Sequence, residues 1–467
     1  MSRYTSATDA DREAMLERIG AASIDELFAD IPASVRLDRP IDLPAGKAEQ
    51  EVYGYLRDLA ARNVSAEDEI SFLGAGMYDH YVPALVDALI SRSEFLTPYT
   101  PYQPEVSQGT LQVMFEYQTA ISELTALPVS NATLYEAPSA VASAGWLARQ
   151  ENKRPRFLVS RGLHPHSREA LATTSHGYGT AVEEVALSGG LTDAEALRDA
   201  VGDDVSAVFL QQPNYLGAVE DLELLAPLAR ETGALLVVQC DPMTLGVLRP
   251  PGEFDVDIAV GEGQPLGNRL DYGGPSFGFF AAQERFLRRM PGRIAGETTD
   301  ADGKRGFVLT LQTREQHIRR EKATHNITTA QTLNALAGVV YLSWLGRQGI
   351  VELGDLLLHR TAYARRTLAA LDGVELLHDQ PVVREFAVRL AAPVDRVIER
   401  CAERGVNPGH PLGADYEEHE DGLLVAITEQ RSRADIDRLA DVLGAAVAAE
   451  RPSEAAARRG ARDRIHA

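Results

Sequence analysis

Lysine is nearly missing from this chain. Lys47, Lys153, Lys304 and Lys322 are the only ones in 467 residues, so arginine makes up almost all of the 46 basic side chains. Chemistry that needs a side-chain amine between residues 153 and 304 is excluded. Cysteine is as scarce: Cys240 and Cys401 suit a reduced cytosol, and Cys240, inside an apolar run, reads as an inert core thiol. No Cys/His grouping has zinc spacing. No apolar run of about 18 residues exists to span a membrane. The N-terminus, MSRYTSATDADREAML, lacks the basic-then-apolar order of a secretory signal and is acidic, unlike a transit peptide. The expected location is cytoplasmic. Positive charge is in deficit too: a net charge of −22 argues against nucleic acid or an anionic membrane as partner. Abundant acid with little lysine suggests a salt-adapted protein, because screening weakens self-repulsion. A melting temperature as high without salt as in molar KCl would remove that expectation.

What is present supports a large core: 45% of residues are hydrophobic, enough for two or three domains. Residues 1–96 read as a helical arm with an extended, proline-punctuated stretch. Thr8 is placed to cap a helix that stops at Gly20, and Ser23 to Glu26 has the pattern of a capping box. From 97 to 330, apolar β-branched runs (RFLVS, VEEVAL, VSAVFLQ, ALLVVQC, VDIAV) alternate with helical segments. That pattern predicts a mainly parallel sheet covered on both faces, with ligands beyond the carboxyl ends of its strands. After Gln312 a charged helix is expected over QTREQHIRREK. Residues 331–450 read as helices followed by a small C-terminal α/β domain, and 451–467 as a flexible tail.

One stretch departs from this regular alternation: TPYTPYQPEVSQGTLQVMFEYQTAISEL, residues 97–124. Pro98, Pro101 and Pro104 hold its first half extended. Ser107 is a candidate N-cap for a helix whose Met114, Tyr117, Ile121 and Leu124 share a face. A rigid aromatic loop feeding a helix suits a ligand wall or an ordered entry to a core helix.

YTPYQPEVSQGTLQ resembles the signature of the glycine decarboxylase P-protein family, more narrowly the α subunit (subunit 1) of its two-chain form. ADGKRGFVLTLQTREQHIRREKATHNI and VGEGQPLG resemble the same family. The likeness runs from about Phe72 to Arg431, and long matches at separated places are specific. The resemblance implies a fold-type I pyridoxal-phosphate-dependent transferase-like α/β fold, with a large mainly parallel-sheet domain and a small C-terminal α/β domain. Strand counting alone leaves other α/β folds open.

Such an enzyme needs a Schiff-base lysine, an acid against the pyridine nitrogen and a phosphate cradle. Asp241, ending ALLVVQCD, matches the acid, though a turn-starting Asp before Pro242 reads equally well. Gln264 and Pro265 fall where the family's partner-type chain has His and Lys. Lys304, in an Asp-Gly turn, and Lys322, in a charged helix, read as surface residues. At the expected phosphate turn stand Glu136, Ala137, Pro138 and Ser139, and the first of these is unwelcome beside a phosphate. His164 and His166 read as solvated loop imidazoles. The resemblance therefore implies a subunit without a covalent catalytic residue of its own. A homologous β subunit would carry pyridoxal phosphate, in a heterodimer or a pair of heterodimers, and glycine would be decarboxylated there. The aminomethyl group would then pass to the lipoyl arm of H protein. In that reading Tyr99, Tyr102, Gln103 and Ser107 shape the partner's site, Glu105 holds the loop in place, and His325 and Asn326 are weaker candidates. The alternatives are a non-catalytic scaffold and a stand-alone pyridoxal-phosphate enzyme using Lys304 or Lys322.

Overall fold

The computed structural model describes residues 6–451 apart from 38, 99, 272, 273 and 328. Tyr99 and the tail beyond 451 therefore lie outside the described residues. The chain divides into two units, Met1–Val64 and Ser65–Ala467. In the first, helix α1 (Asp9–Ile19) opens on a capping box at Thr8 and closes on Gly20 at φ 82°. The Ser23–Glu26 box makes only a 3-10 turn, Asp25–Phe28, because the Glu26 carboxylate accepts from the Ala22 amide instead of that of Ser23. Helix α2 (Glu49–Ala60) buries nothing, and Val52, Tyr53 and Leu56 stay exposed.

The second unit is built on a seven-stranded sheet: β1 (Val129–Ser130), β2 (Arg156–Ser160), β3 (Ala181–Val185), β4 (Val205–Gln212), β5 (Leu235–Cys240), β6 (Ile258–Glu262) and β7 (Gly278–Ala282), in spatial order β1-β7-β6-β5-β4-β2-β3. Strands β3, β2, β4, β5 and β6 pair in parallel, and β7 is antiparallel to both neighbours. Alternation along each strand feeds two cores. Leu158, Val208, Leu236 and Val238 pack in one core with helix α3 (Ala84–Ile90), through Val86, and helix α4 (Gln108–Thr125), through Tyr117 and Ile121. Phe157, Val159, Phe209 and Val237 pack with helix α5 (Ala137–Asn152), through Ala140, Ala144 and Leu147. Both faces being covered explains why these strands read as continuous apolar runs.

The sequence pattern missed an antiparallel hairpin, β8 (Ile294–Thr299) and β9 (Arg305–Thr310). The charged helix expected over QTREQHIRREK is instead three short turns, Gln312–Arg314, Gln316–Arg319 and Arg320–Lys322. Arg320 at φ 52° interrupts it, and Leu311 at φ 53° stands immediately before it.

Helix α6 (Thr332–Ala369) is broken at Gly346 (φ 61°, ψ −177°). Its early residues Ala335, Ala337 and Tyr341 join the large-sheet core, and Ala364 and Leu368 join a separate C-terminal core. That second core lies under an antiparallel sheet of order β10-β11-β13-β12, made by β10 (Val374–Leu376), β11 (Glu385–Leu390), β12 (His410–Pro411) and β13 (Gly422–Ala426). Helices α7 (Val394–Ala402) and α8 (Arg433–Glu450) complete it. Among the described residues no helix is long and apolar enough to cross a membrane.

Candidate functional site

The carboxyl ends of β5 and β6 deliver Asp241, Glu262 and Pro265 to one narrow cleft, with His164 and Tyr215 on the same walls. Arg384 and Glu385, at the start of β11, face them. The segment 74–81 crosses between. Its glycines permit the close approach: a Cβ on Gly74 would stand 2.3 Å from the Glu385 carboxylate, and Gly76, at φ 102°, would press on the His164 ring.

Arg384 dominates the cleft. It is 2% exposed, its Nε lies 2.6 Å from Asp241 Oδ2, and its guanidinium carbon sits 3.4 Å from the Tyr78 ring centroid. It also contacts the His80 ring, whose other nitrogen is 2.5 Å from Glu429. Tyr78 donates its hydroxyl to Glu385 at 2.8 Å, and the Ala75 amide donates to the same carboxylate at 2.8 Å. Gln264, 1% exposed, is held by the backbone of Tyr78 in both directions (3.0 and 3.1 Å) and donates to the Asn268 carbonyl at 2.7 Å. Asp241 opens a turn by accepting from the Met243 amide at 3.0 Å, and its carboxylate faces Arg384 in the cleft.

Do these residues fit a covalently held pyridoxal phosphate? They do not. An amide and a proline replace the amine, and neither Lys304 nor Lys322 lines the cleft; both are exposed. The helix terminus that would face a phosphate is already served by carboxylates. Glu136 accepts from the Ser139 amide at 3.2 Å and from its hydroxyl, and Glu262 accepts from the Ala137 amide at 3.1 Å. The remaining cavity is about 40 Å³. At ~10–15 Å³ per water it holds a few waters, not a substituted pyridine ring. Burial pushes the Glu262 and Glu385 carboxyls up to about 7 and holds His164 down to about 4, hence neutral. His164 is therefore no solvated loop residue. Its Nε2 is 2.9 Å from the Ala75 carbonyl, and it meets Tyr215 edge-on with ring centroids 4.9 Å apart. His166 is exposed as expected. Cys240 is buried and its thiol pushed far up, an inert group.

The proline loop lies elsewhere, against the 290–327 stretch. Tyr102, 42% exposed, donates its hydroxyl to Glu315 at 3.1 Å and accepts from Arg293 at 3.1 Å. The Arg293 guanidinium also stands 5.5 Å from the Tyr102 ring centroid, and His317 meets that ring edge-on at 5.5 Å. Arg293 and Glu315 are 4% and 5% exposed and 3.8 Å apart. Arg293 and Arg314, with burial as the larger cause, hold His325 down to about 4. The His325 Nδ1 accepts from the Ile327 amide at 3.2 Å, which leaves its buried Nε2 without a hydrogen bond. Asn326 is exposed on the wall of a groove of about 610 Å³ beside Trp146, Tyr178 and His325. Tyr102, His325 and Asn326 thus share one region, while Asp241 lines the cleft and Gln264 is buried beside it against Tyr78.

Two expectations for the loop need correction. Ser107 precedes α4, but at φ −130°, ψ 21° its side chain caps no amide. Glu105 is exposed and makes no hydrogen bond among the described residues, so it does not hold the loop. Gln108 does: its amide donates to the Pro104 and Phe307 carbonyls and accepts from the Phe307 amide, each at 2.8 Å. Gln103 is exposed.

Sequence reasoning missed Arg384, Tyr78, Glu262, Arg293 and Glu315. Two signals were available. Arg384-Glu385 and Glu262 are charges set at the ends of apolar strands, where a solvated side chain is not the expectation. The Gly74-Ala-Gly76 turn beside Tyr78 and His80 was the other. Arg293 and Glu315 gave none, since their pairing joins distant segments.

The sequence model of the family described as "Glycine cleavage system P-protein" matches residues 2–443. A chain named probable glycine dehydrogenase (decarboxylating) subunit 1, from Geobacillus kaustophilus, is 47% identical over 444 residues, 95% of this chain and 99% of that one. The like-named chain of Moorella thermoacetica is 47% identical over 436 residues, 93% and 98% of the two chains. A crystal structure of glycine decarboxylase (P-protein) of the glycine cleavage system, in inhibitor-bound form, superposes with a TM-score of 0.88 at 43% identity, covering 95% of this chain and 100% of that one. A sphingosine-1-phosphate lyase from Burkholderia pseudomallei shares the fold, with a TM-score of 0.64 at 18% identity and coverage of 93% and 98%. The fold is that of the type I pyridoxal-phosphate-dependent enzymes. By the extent and identity of these matches, the chain belongs to the glycine cleavage system P-protein family, alongside the members called subunit 1.

Proposed function

We propose that this chain is the α subunit of a two-chain glycine decarboxylase and completes a site whose cofactor the other chain holds. The chain is a subunit of glycine dehydrogenase (decarboxylating), the P-protein of the glycine cleavage system. The family's fold supports pyridoxal phosphate as the cofactor, and the name subunit 1 implies a second subunit. The reading rests on one observation: where an amine would have to stand there are Gln264, locked onto the Tyr78 backbone, and Pro265. The cofactor is accordingly bound covalently by a homologous β subunit, in a heterodimer or a pair of heterodimers. Glycine loses carbon dioxide at that site, and the aminomethyl carbon passes to the lipoyl arm of H protein in the cytoplasm.

What this chain contributes is a wall. Tyr102, with its hydroxyl fixed between Arg293 and Glu315, is a half-exposed aromatic with an oriented dipole. Gln103 beside it and Asn326 beyond it offer amides to a ligand. Ser107 belongs to the same proposed surface, and Tyr99, outside the described residues, is proposed from its sequence position alone. An oriented hydroxyl costs little to reorganise when a ligand arrives, which is how a wall speeds a reaction without bonding to the substrate.

Co-expression with the β chain and assay of glycine-dependent bicarbonate exchange test the proposal. The pair should be active and this chain alone colourless and inert. Gln103→Ala should lower exchange in a complex of unchanged size. Full activity in that variant would favour a scaffold, and a yellow, glycine-consuming preparation of this chain alone would favour a stand-alone enzyme.

A further inference from the structure

We infer that the chain has replaced each anchor of a pyridoxal phosphate with a group of its own, Arg384 in the cleft and Glu136 and Glu262 at the adjoining helix terminus, as a built-in substitute for the cofactor. This goes beyond the proposed function, on which it rests. Loss of a lysine alone would leave an empty seat that still takes the cofactor non-covalently. The geometry here is of a filled one.

Three contacts carry the inference, each matching one chemical need of the absent group. A pyridine nitrogen requires an acid at the end of the central strand. That acid, Asp241, is instead 2.6 Å from the Arg384 Nε, a cation in place of a pyridinium. The ring requires a flat neighbour, and the guanidinium already lies 3.4 Å from the Tyr78 ring centroid. Arg384 thus satisfies both the charge and the stacking that a protonated pyridine would supply. The phosphate requires the free amides of a helix N-terminus. Those of α5 are taken by Glu136 and Glu262, at 3.2 and 3.1 Å. At the position of the amine stands Pro265, and Gln264 before it spends its side chain on the Tyr78 backbone and on Asn268.

These substitutions hold the unit together. Arg384 and Glu385 come from β11, Asp241 and Glu262 from the large sheet, and Tyr78 from the segment between them. A cofactor-binding enzyme joins such parts partly through its ligand. In this chain they are joined through side chains, with room left for a few waters.

The test restores the amine and asks whether the seat accepts the cofactor. The full-length chain is prepared as wild type, as Pro265→Lys and as Pro265→Lys/Arg384→Ala. Each is incubated with pyridoxal phosphate and, separately, with pyridoxal, then reduced with borohydride. A lysine amine and the aldehyde condense with loss of water, and hydride reduces the carbon–nitrogen double bond to a stable secondary amine. Peptide mass spectrometry then reads the adduct at residue 265 separately from adducts on exposed lysines. Pro265→Lys should carry no adduct at 265. Removing Arg384 should raise labelling there about tenfold or more, the change expected when a cleft-filling ion pair of at least ~1.4 kcal/mol is withdrawn. Pyridoxal should label the double variant at least as fast as its phosphate ester, because carboxylates hold the phosphate seat.

Ready labelling of Pro265→Lys by itself would overturn the inference, and that arm decides whether or not the double variant folds. So would a folded double variant labelled no more than the single one, or one strongly preferring the phosphate ester. An adduct-free but glycine-active wild-type chain would instead count against the proposed function and leave this inference standing.

Discussion

The cleft and the proline loop are both aromatic-and-charge clusters, yet they are finished in opposite ways. In and beside the cleft the polar groups pair with one another: Arg384 with Asp241, Tyr78 with Glu385, His80 with Glu429. Around the loop, buried Arg293 and Glu315 hold up a Tyr102 that stays 42% exposed. The first arrangement consumes its polar groups and can only stabilise. The second spends two buried charges to orient one exposed group, which is worthwhile when something else is to meet it. The contrast separates a cluster closed on itself from one that leaves an oriented aromatic group exposed.

The comparison is broken most directly at Arg384. Arg384→Ala leaves the half-buried Asp241 without its cation and should destabilise the full chain by about 3 kcal/mol in chemical denaturation, the low end for a buried pair. A loss below about 1 kcal/mol would mean the cleft is not held by this pair. Next is acidity. Glu262 and Glu385 have carboxyls raised to about 7 by burial. They bind protons in the folded chain at a pH where the unfolded chain has released them. Their stabilising contribution is therefore complete below the ordinary carboxyl range and is lost as pH rises to about 7, by an amount on the order of a few kcal/mol together. Denaturation midpoints measured across that window should fall, and Glu262→Gln should flatten the slope; a flat wild-type profile would contradict the burial argument.

The loop gives smaller effects on stability and larger ones on turnover. Tyr102→Phe removes one hydroxyl between two buried charges and should cost about 1 kcal/mol of stability. In the assembled enzyme the same change should lower glycine–bicarbonate exchange by roughly tenfold or more, since an oriented wall is lost. Unchanged exchange would leave the loop a structural part only. The smallest effect belongs to Glu105→Ala, which should stay within about 0.5 kcal/mol of wild type, as expected of an exposed side chain without a partner.

Much of this was legible in the residue order. The strands RFLVS, VSAVFLQ and ALLVVQC fall on β2, β4 and β5 because β-branched runs buried on both faces have no other stable place. The missing amine could be read from composition. What could not be read were the contacts between distant segments. Arg384 stands 143 positions from Asp241 by sequence number, and no local periodicity announces such a pair. Short turns also hid: Leu311 and Arg320 adopt left-handed backbone without a glycine to mark it, and a charged stretch that looks helical breaks there. Ser107 had the right residue type at the right place, and only the backbone angle denied it the capping bond.

Helix α6 carries a last consequence. After its break at Gly346 it runs unbroken past Gly354, which packs on Val247 of the large layer, to Leu368 in the C-terminal core. One stiff rod is thereby rooted at both ends, in layers that many two-layer enzymes hinge apart to admit a substrate. Hinging here would have to bend the rod or tear out an end. This unit is thus braced against opening between its two cores.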